Sequence, residues 1–235
     1  MLTPIDKRLF GLDDAALRTF SDDDGRQLLL DADALASFEQ MKIAARRDGV
    51  QLNICSGFRD FSRQCLIWNN KASGKRPVLG ADSQPVDINH FSDQQRLETL
   101  LLWSAIPAMS RHHWGTDVDL FDASAIGREQ LQLINSEYQA GGPCYPMFHW
   151  LEQHATAFGF YRPFQQGLSG TSAELWHYSY FPTASRLQAQ YDTEKLKQLL
   201  ISSDVALKDV MLQQLEQLVI TYVQTVAPAP SRVSL

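Results

Sequence analysis

Residues 110–122 read SRHHWGTDVDLFD, placing two adjacent histidines and three aspartates in a short stretch. Imidazole and carboxylate are donors for a mononuclear zinc site, and a catalytic site needs three protein ligands with a fourth position open. Val118 and Leu120 alternate with Asp117 and Asp119, which predicts a strand with one face in the core and carboxylates on the other. Gly115 permits a tight approach between the histidines and that strand. His112 lies seven residues before Asp119 and His113 six, so spacing alone leaves the choice between them open. A second cluster is Glu174-Leu175-Trp176-His177. In a regular strand positions i and i+3 face opposite ways, so a shared site requires Glu174 to lie in the loop or at a bulge before the strand. A glutamate beside a zinc-activated water suits general-base work. The third piece is Ser56-Gly57-Phe58-Arg59, where a guanidinium at a strand end can hold a carboxylate or stabilise an oxyanion. Taken singly, each piece has a structural explanation: a packed imidazole, a solvated strand face, a surface ion pair.

These side chains need elements to position them. Residues 1–30 lack sustained periodicity and read as an N-terminal wrap with a short helix around Asp13–Phe20. Leu35, Phe38, Met41 and Ala45 recur at helical spacing within Asp31–Arg47, and Gly49 stands where a left-handed residue ends the helix. Val50, Leu52 and Ile54 then alternate as a half-buried strand, and a helix is expected over roughly Asp60–Asn69. Residues 70–91 are rich in Gly, Pro, Ser and Asp and predict a long loop of the kind that borders binding sites. Ser92 with Gln95 forms a capping-box signature for a helix to about Ser104. A helix is expected over Arg128–Tyr138, a loop over 141–146, and a helix with Phe148, Leu151, Ala155 and Phe158 on one face, ended by Gly159. A polar loop at 164–173 precedes the strand-like LWHYSYF at 175–181. From about Thr193 the chain reads as helical, with Met211, Leu215, Leu218 and Tyr222 in register up to an APAP tail. The interspersed helices and short strands place the chain in the α+β class.

Composition sets the remaining bounds. The 235 residues are long enough for a sizeable core, and 44% hydrophobic with 20% charged residues is the balance of a globular protein. A net charge of −6 without a Lys/Arg run argues against a nucleic-acid footprint. No apolar stretch has the length of a membrane span and the N-terminus lacks a signal-peptide pattern, so the expected location is cytoplasmic. Cys55, Cys65 and Cys144 cannot all pair within one chain; buried thiols are expected, with a Cys55–Cys65 disulfide as the lesser alternative.

Taken together and in order, SGFR, SRHHWGTDVD and ELWH resemble the signature of the D-Ala-D-Ala metallopeptidase family. That family includes the vancomycin-resistance-type D,D-carboxypeptidases and D,D-dipeptidases and shares its fold with lysostaphin-type peptidases and the hedgehog signalling domain. Against its pattern S-x-H-x-x-G-x-A-x-D followed by E-x-W-H, this chain supplies Ser110, His112, Gly115 and Asp119, then Glu174, Trp176 and His177. The resemblance spans roughly residues 31–182. It implies a small antiparallel sheet flanked by helices, with residues 1–30 as a wrap, 31–185 as the catalytic domain and 186–235 as a C-terminal helical extension. It implies one Zn²⁺ per chain on His112, Asp119 and His177, which settles the histidine choice. Glu174 would be the general base and Arg59 the oxyanion stabiliser, with Ser110 and Gln64 binding the substrate backbone and terminal carboxylate. The implied substrates are peptidoglycan stem peptides or other D-Ala-terminated peptides. L,D-carboxypeptidase activity on tetrapeptides and a non-hydrolytic zinc-containing binding module are the alternatives. Asp117 departs from the pattern's small residue; on a regular strand it shares a face with Asp119 and would either accept a hydrogen bond from a ligand or from Arg59 or alter substrate preference. His113 and Asp122 are left to structure, His149 and His154 to solvent, and His90 to the end of the long loop.

Overall fold

Local capping chemistry starts the main helices in the computed structural model, which describes residues 1–231. Thr3 and Asp6 form a capping box at α1, Pro4–Leu9. A hairpin of β1, Leu17–Ser21, and β2, Gln27–Asp31, leads into α2, Ala32–Arg47, whose first-turn N–H groups donate to the Asp31 carboxylate. β3, Leu52–Ser56, precedes α3, Phe61–Ala72, capped by Asp60. A small hairpin, β4 at Val78–Leu79 and β5 at Pro85–Val86, follows, and the expected Ser92/Gln95 capping box opens α4, Asp93–Leu101.

The central sheet brings the conspicuous motifs together. A 3₁₀ turn at Arg111–Trp114 ends at Gly115, whose φ of 72° favours glycine, and delivers the chain into β6, Asp117–Asp122. After α5, Tyr145–His154, come β7, Phe160–Tyr161, and β8, His177–Tyr180. These form a four-stranded antiparallel sheet in the order β3-β6-β8-β7. Asp119 stands opposite His177 on β8 and, past an irregularity in β3, opposite Ser56 on its other side. Because side chains alternate, Asp117 and Asp119 share one face while Val118 and Leu120 pack into the core on the other.

Two apolar clusters hold this frame. One joins Val118, Leu120 and Tyr178 of the sheet to Phe38 and Met41 of α2 and Leu151 of α5. The other joins Trp68 of α3 and Leu97 of α4 to the C-terminal helices α6, Phe181–Gln188, α7, Thr193–Ser202, α8, Lys208–Leu212, and α9, Leu215–Val219, which runs into a π turn at Ile220–Gln224. A fully buried leucine or aromatic contributes roughly 1.5–3 kcal/mol. Trp68 also anchors this second cluster through Nε1–H to the Ala206 carbonyl at 2.9 Å.

Several expectations are corrected. The helix expected at Asp13–Phe20 gives way to β1, because Leu17–Ser21 pairs with the strand ending at Asp31. Arg128–Tyr138 is turn and coil with one 3₁₀ turn at Asn135–Glu137; Arg128 reaches back to the Ile54 carbonyl at 3.0 Å, and the Glu137 carboxylate caps the N–H groups of Gln132 and Ile134. The loop at 70–91 contains the β4–β5 hairpin. The three cysteines are free thiols as expected, but only Cys144 is buried; Cys55 and Cys65 are half-buried. The C-terminal segment is helical in short pieces, and residues 232–235 of the expected extension lie outside the described part.

Candidate active site

The sheet register and the 3₁₀ turn bring one imidazole and one His–Asp pair to the same point. Asp119 Oδ2 lies 3.3 Å from His112 Nε2, and its Oδ1 lies 3.2 Å from His177 Nδ1. One donor atom from each of the three residues falls within 4.8 Å of the others, and all three residues are buried. Each imidazole is held by its remote nitrogen: His112 Nδ1 bonds the Gly57 carbonyl at 2.9 Å, and His177 Nε2 bonds Asp117 Oδ1 at 2.9 Å. Those bonds leave His112 Nε2 and His177 Nδ1 facing Asp119. Asp119 Oδ1 is buried without a hydrogen-bond partner, an expensive arrangement unless a cation accepts its lone pairs. Tetrahedral zinc with ligands about 2.0–2.1 Å away holds its donors about 3.3 Å apart; the two histidine–carboxylate separations match that spacing, and two imidazoles with a carboxylate are a donor set that fits zinc.

Asp117 sits behind the cluster, at 0% exposure. It accepts from Arg111 Nε at 2.8 Å, His177 Nε2 at 2.9 Å, Thr116 Oγ1 at 2.6 Å and Ser179 Oγ at 3.0 Å. Burial alone would raise its carboxyl pKa; the Arg111 charge and these bonds outweigh it and hold the group well below the carboxylate range. Burial lowers His177, but the bond to Asp117 and the nearby Asp119 carboxylate prevail and favour its charged form, so a cation competes with that proton for Nδ1. The acceptor role expected for Asp117 thus serves His177 and Arg111; Arg59 bonds elsewhere.

Arg59 is fixed from both backbone and side chain. Its N–H donates to the His112 carbonyl at 3.1 Å, and its carbonyl bonds His113 Nδ1 at 2.6 Å. Its guanidinium donates to Gln64 Oε1 at 2.9 Å and Ser56 Oγ at 3.0 Å. His113 Nε2 accepts from Ala108 N–H at 3.0 Å, so its ring is neutral with both nitrogens used, and burial pushes its pKa down to about 3. His113 therefore braces Arg59 and stays out of the cluster.

Glu174 lies in the loop before β8, as a shared site with His177 requires, with Oε2 3.5 Å from His177 Nδ1. Burial raises its carboxyl to about 7. Arg59, Gln64, Ser110, His112, Asp119, Glu174 and His177 all line one cavity of about 410 Å³. Gln64 is buried and uses both ends of its amide, accepting from Arg59 and donating to the Ala105 carbonyl at 2.6 Å. Lys71, Arg76 and Trp103, which no spacing in the sequence marks, also line the cavity, as does Tyr222. The 70–91 loop composition pointed to that region, and Tyr222 was visible only as the end of an apolar stripe. His90, His149 and His154 are exposed and do not line it, and the Asp122 carboxylate caps a turn at Ser124.

Two imidazoles and a carboxylate converging in a cleft, beside a glutamate and a guanidinium, define a metallohydrolase type of centre. The family model described as VanY, D-alanyl-D-alanine carboxypeptidase, matches residues 27–183, and the chain belongs to this family. Among relatives, it is 36% identical over 121 residues to an uncharacterized protein of Haemophilus influenzae, covering 50% of this chain and 92% of that one. It is 28% identical over 140 residues to a D-alanyl-D-alanine carboxypeptidase of Enterococcus faecalis, covering 58% of this chain and 42% of that one. In fold it is similar to the LdcB LD-carboxypeptidase, with TM-score 0.52, 16% identity, and 83% and 76% of the two chains covered. It is also similar to VanYB in complex with D-Alanine-D-Alanine, with TM-score 0.50, 21% identity, and 77% and 87% covered. No helix among the described residues is long and apolar enough to cross a membrane.

Proposed function

We propose that this chain is a zinc-dependent carboxypeptidase that removes a terminal D-amino acid, D-alanine in the first instance, from peptidoglycan-type peptides. The observation that carries this reading is the convergence of His112, Asp119 and His177 donor atoms within 4.8 Å, in the same cavity as Glu174 and Arg59. Zinc on those three residues supplies Lewis-acid polarisation of the scissile carbonyl and a more acidic water. Glu174, in contact with His177, takes the proton from the attacking water and returns it to the leaving amine. Arg59, held by Gln64 and Ser56, presents its guanidinium to the oxygen that gains charge as the carbonyl carbon becomes tetrahedral. Ser110 offers its hydroxyl to the substrate backbone, and Gln64 acts mainly by orienting Arg59. Residues 31–185 form the catalytic part in this reading, supported by a family match that ends at 183.

The test is to incubate the zinc form with a pentapeptide, a tetrapeptide and D-Ala-D-Ala and to identify the products by mass. Release of D-alanine from the pentapeptide, abolished in Glu174→Ala with zinc retained, is the expected result. Release from the tetrapeptide alone would move the specificity to the L,D bond. No release from any of the three by stoichiometrically zinc-loaded protein overturns the hydrolase assignment.

A further inference from the structure

Lys71 occupies the last turn of α3 and lines the same cavity, half-buried, with Nζ donating to Ser104 Oγ at 2.6 Å. Among the described residues no carboxylate stands at ion-pair distance from it; Glu174 is the nearest compensating charge, felt through space. Burial accordingly pushes the ammonium below its ordinary value. Arg59 and Arg76 line the cavity as well and likewise have no carboxylate at ion-pair distance among the described residues. Three cations without an ion-pair partner among the described residues thus gather at one cleft, in a chain whose net charge is −6.

Withdrawing an ammonium from water without a counter-charge is costly, and the arrangement is explained when an anion enters with the ligand. The hydroxyl of Ser104 accepts from Lys71 and keeps its own hydrogen free, so the pair offers an N–H and an O–H donor side by side. Gln64 is poorly placed to take an anion, because its carbonyl receives Arg59 and its amide nitrogen already donates to Ala105. Lys71 and Ser104 are not so engaged.

We propose that Lys71 with Ser104, backed by Arg76 at the exposed mouth, forms a carboxylate-binding subsite that selects anionic peptides. This deepens the carboxypeptidase reading and rests on it for the substrate class. Two carboxylates have the required chemistry: the C-terminal group of the peptide and an acidic side chain near the scissile bond.

Direct binding separates them without relying on turnover. The zinc form is titrated with N-acetyl-D-alanine, whose only anion is terminal, and with N-acetyl-D-glutamyl-D-alaninamide, whose only anion is on a side chain. Fluorescence of Trp103 and Trp176, which stack at 6.1 Å and both line the cavity, supplies the signal, with calorimetry as a check. Lys71→Met should weaken binding of one of these ligands about tenfold or more, as loss of a charge-assisted hydrogen bond does, and Lys71→Arg should restore much of it. Loss confined to the first ligand assigns the terminal carboxylate, and loss confined to the second assigns the side chain. Lys71→Met should leave the thermal midpoint unchanged or raised, since no ion pair is broken. Equal affinity of parent and Lys71→Met for both ligands overturns the subsite, as does failure of both ligands to bind the parent. Lys71-dependent binding by a protein that cleaves no peptide would sustain the subsite while removing the hydrolase reading.

Discussion

Removing the Asp117 carboxylate should be among the most damaging single changes to this protein, and the cost can be worked from its contacts. The side chain has 0% exposure and accepts four hydrogen bonds, one from Arg111 Nε at 2.8 Å. The Arg111 side chain is itself 2% exposed; its remaining contacts are Ser179 Oγ at 2.8 Å, Gln188 Oε1 at 3.4 Å and the Trp114 ring 4.5 Å below. Asp117→Ala therefore leaves a guanidinium buried without its counter-charge, a loss of roughly 3–5 kcal/mol. Against a total stability of roughly 5–15 kcal/mol this is a large fraction. With an m-value of roughly 2 kcal/mol per M, a loss of about 3 kcal/mol lowers the urea midpoint by about 1.5 M. The assay is urea unfolding of chelator-treated protein, so that metal affinity does not enter. Arg111→Met combined with Asp117→Ala should recover part of the loss, because the buried charge then goes with its partner. A single variant that loses less than about 1 kcal/mol, or a double variant no more stable than the single, would refute the reasoning that an orphaned guanidinium sets the cost. Metal titration of the same single variant should show ~10–100-fold weaker zinc binding, since His177 loses the bond that orients it.

Zinc content should fall below stoichiometric in His112→Ala and His177→Ala and stay near one per chain in His113→Ala; atomic absorption showing the reverse would move the ligand role to His113. Arg59→Ala should lower kcat by ~10²-fold or more with metal retained, and a change confined to KM would reassign it to ground-state binding. Asp6 is buried at 1% exposure; burial would raise its carboxyl pKa, but bonds from Thr3 and Lys195 prevail and hold it low. Its contribution is full above the unfolded value of about 3.9 and is lost as pH falls through the lower folded value. Asp6→Asn should thus be less stable than the parent at pH 7 and converge with it in acid, and a gap in melting temperature that does not narrow would contradict this.

What could be read from the sequence was what local chemistry decides. Ser92 caps its helix in place with Gln95, and the strand phase of Val118 and Leu120 follows from alternation alone. The ligand set was legible only through the ordered motifs, since nothing local distinguishes His112 from His113. The difference arises from partners far along the chain: His113 spends its nitrogens on Arg59 and Ala108, whereas His112 is tied to Gly57 by one nitrogen only. Asp117 stood out as a departure, but its meaning depends on Ser179 and His177, which the β6–β8 register brings alongside. Leu17–Ser21 was misread because pairing with β2 outweighs weak local helical preference, and Arg128 left its expected helix for carbonyls of β3. Nothing in the spacing around Lys71 reveals that Ser104 lies beside it in the fold.

The two imidazoles meet Asp119 through different ring positions, Nε2 for His112 and Nδ1 for His177, because each is tethered by the opposite nitrogen. Single-site methylation therefore acts unequally on the pair. A methyl on Nε2 of a genetically encoded histidine analogue at 177 leaves the inward nitrogen bare and cuts only the tether to Asp117. The same analogue at 112 blocks the inward nitrogen and, in its neutral form, also leaves Nδ1 without the hydrogen that the Gly57 carbonyl accepts. One unnatural residue, moved between two positions, thus removes the hinge pin alone at 177 and the hinge pin together with the donor at 112.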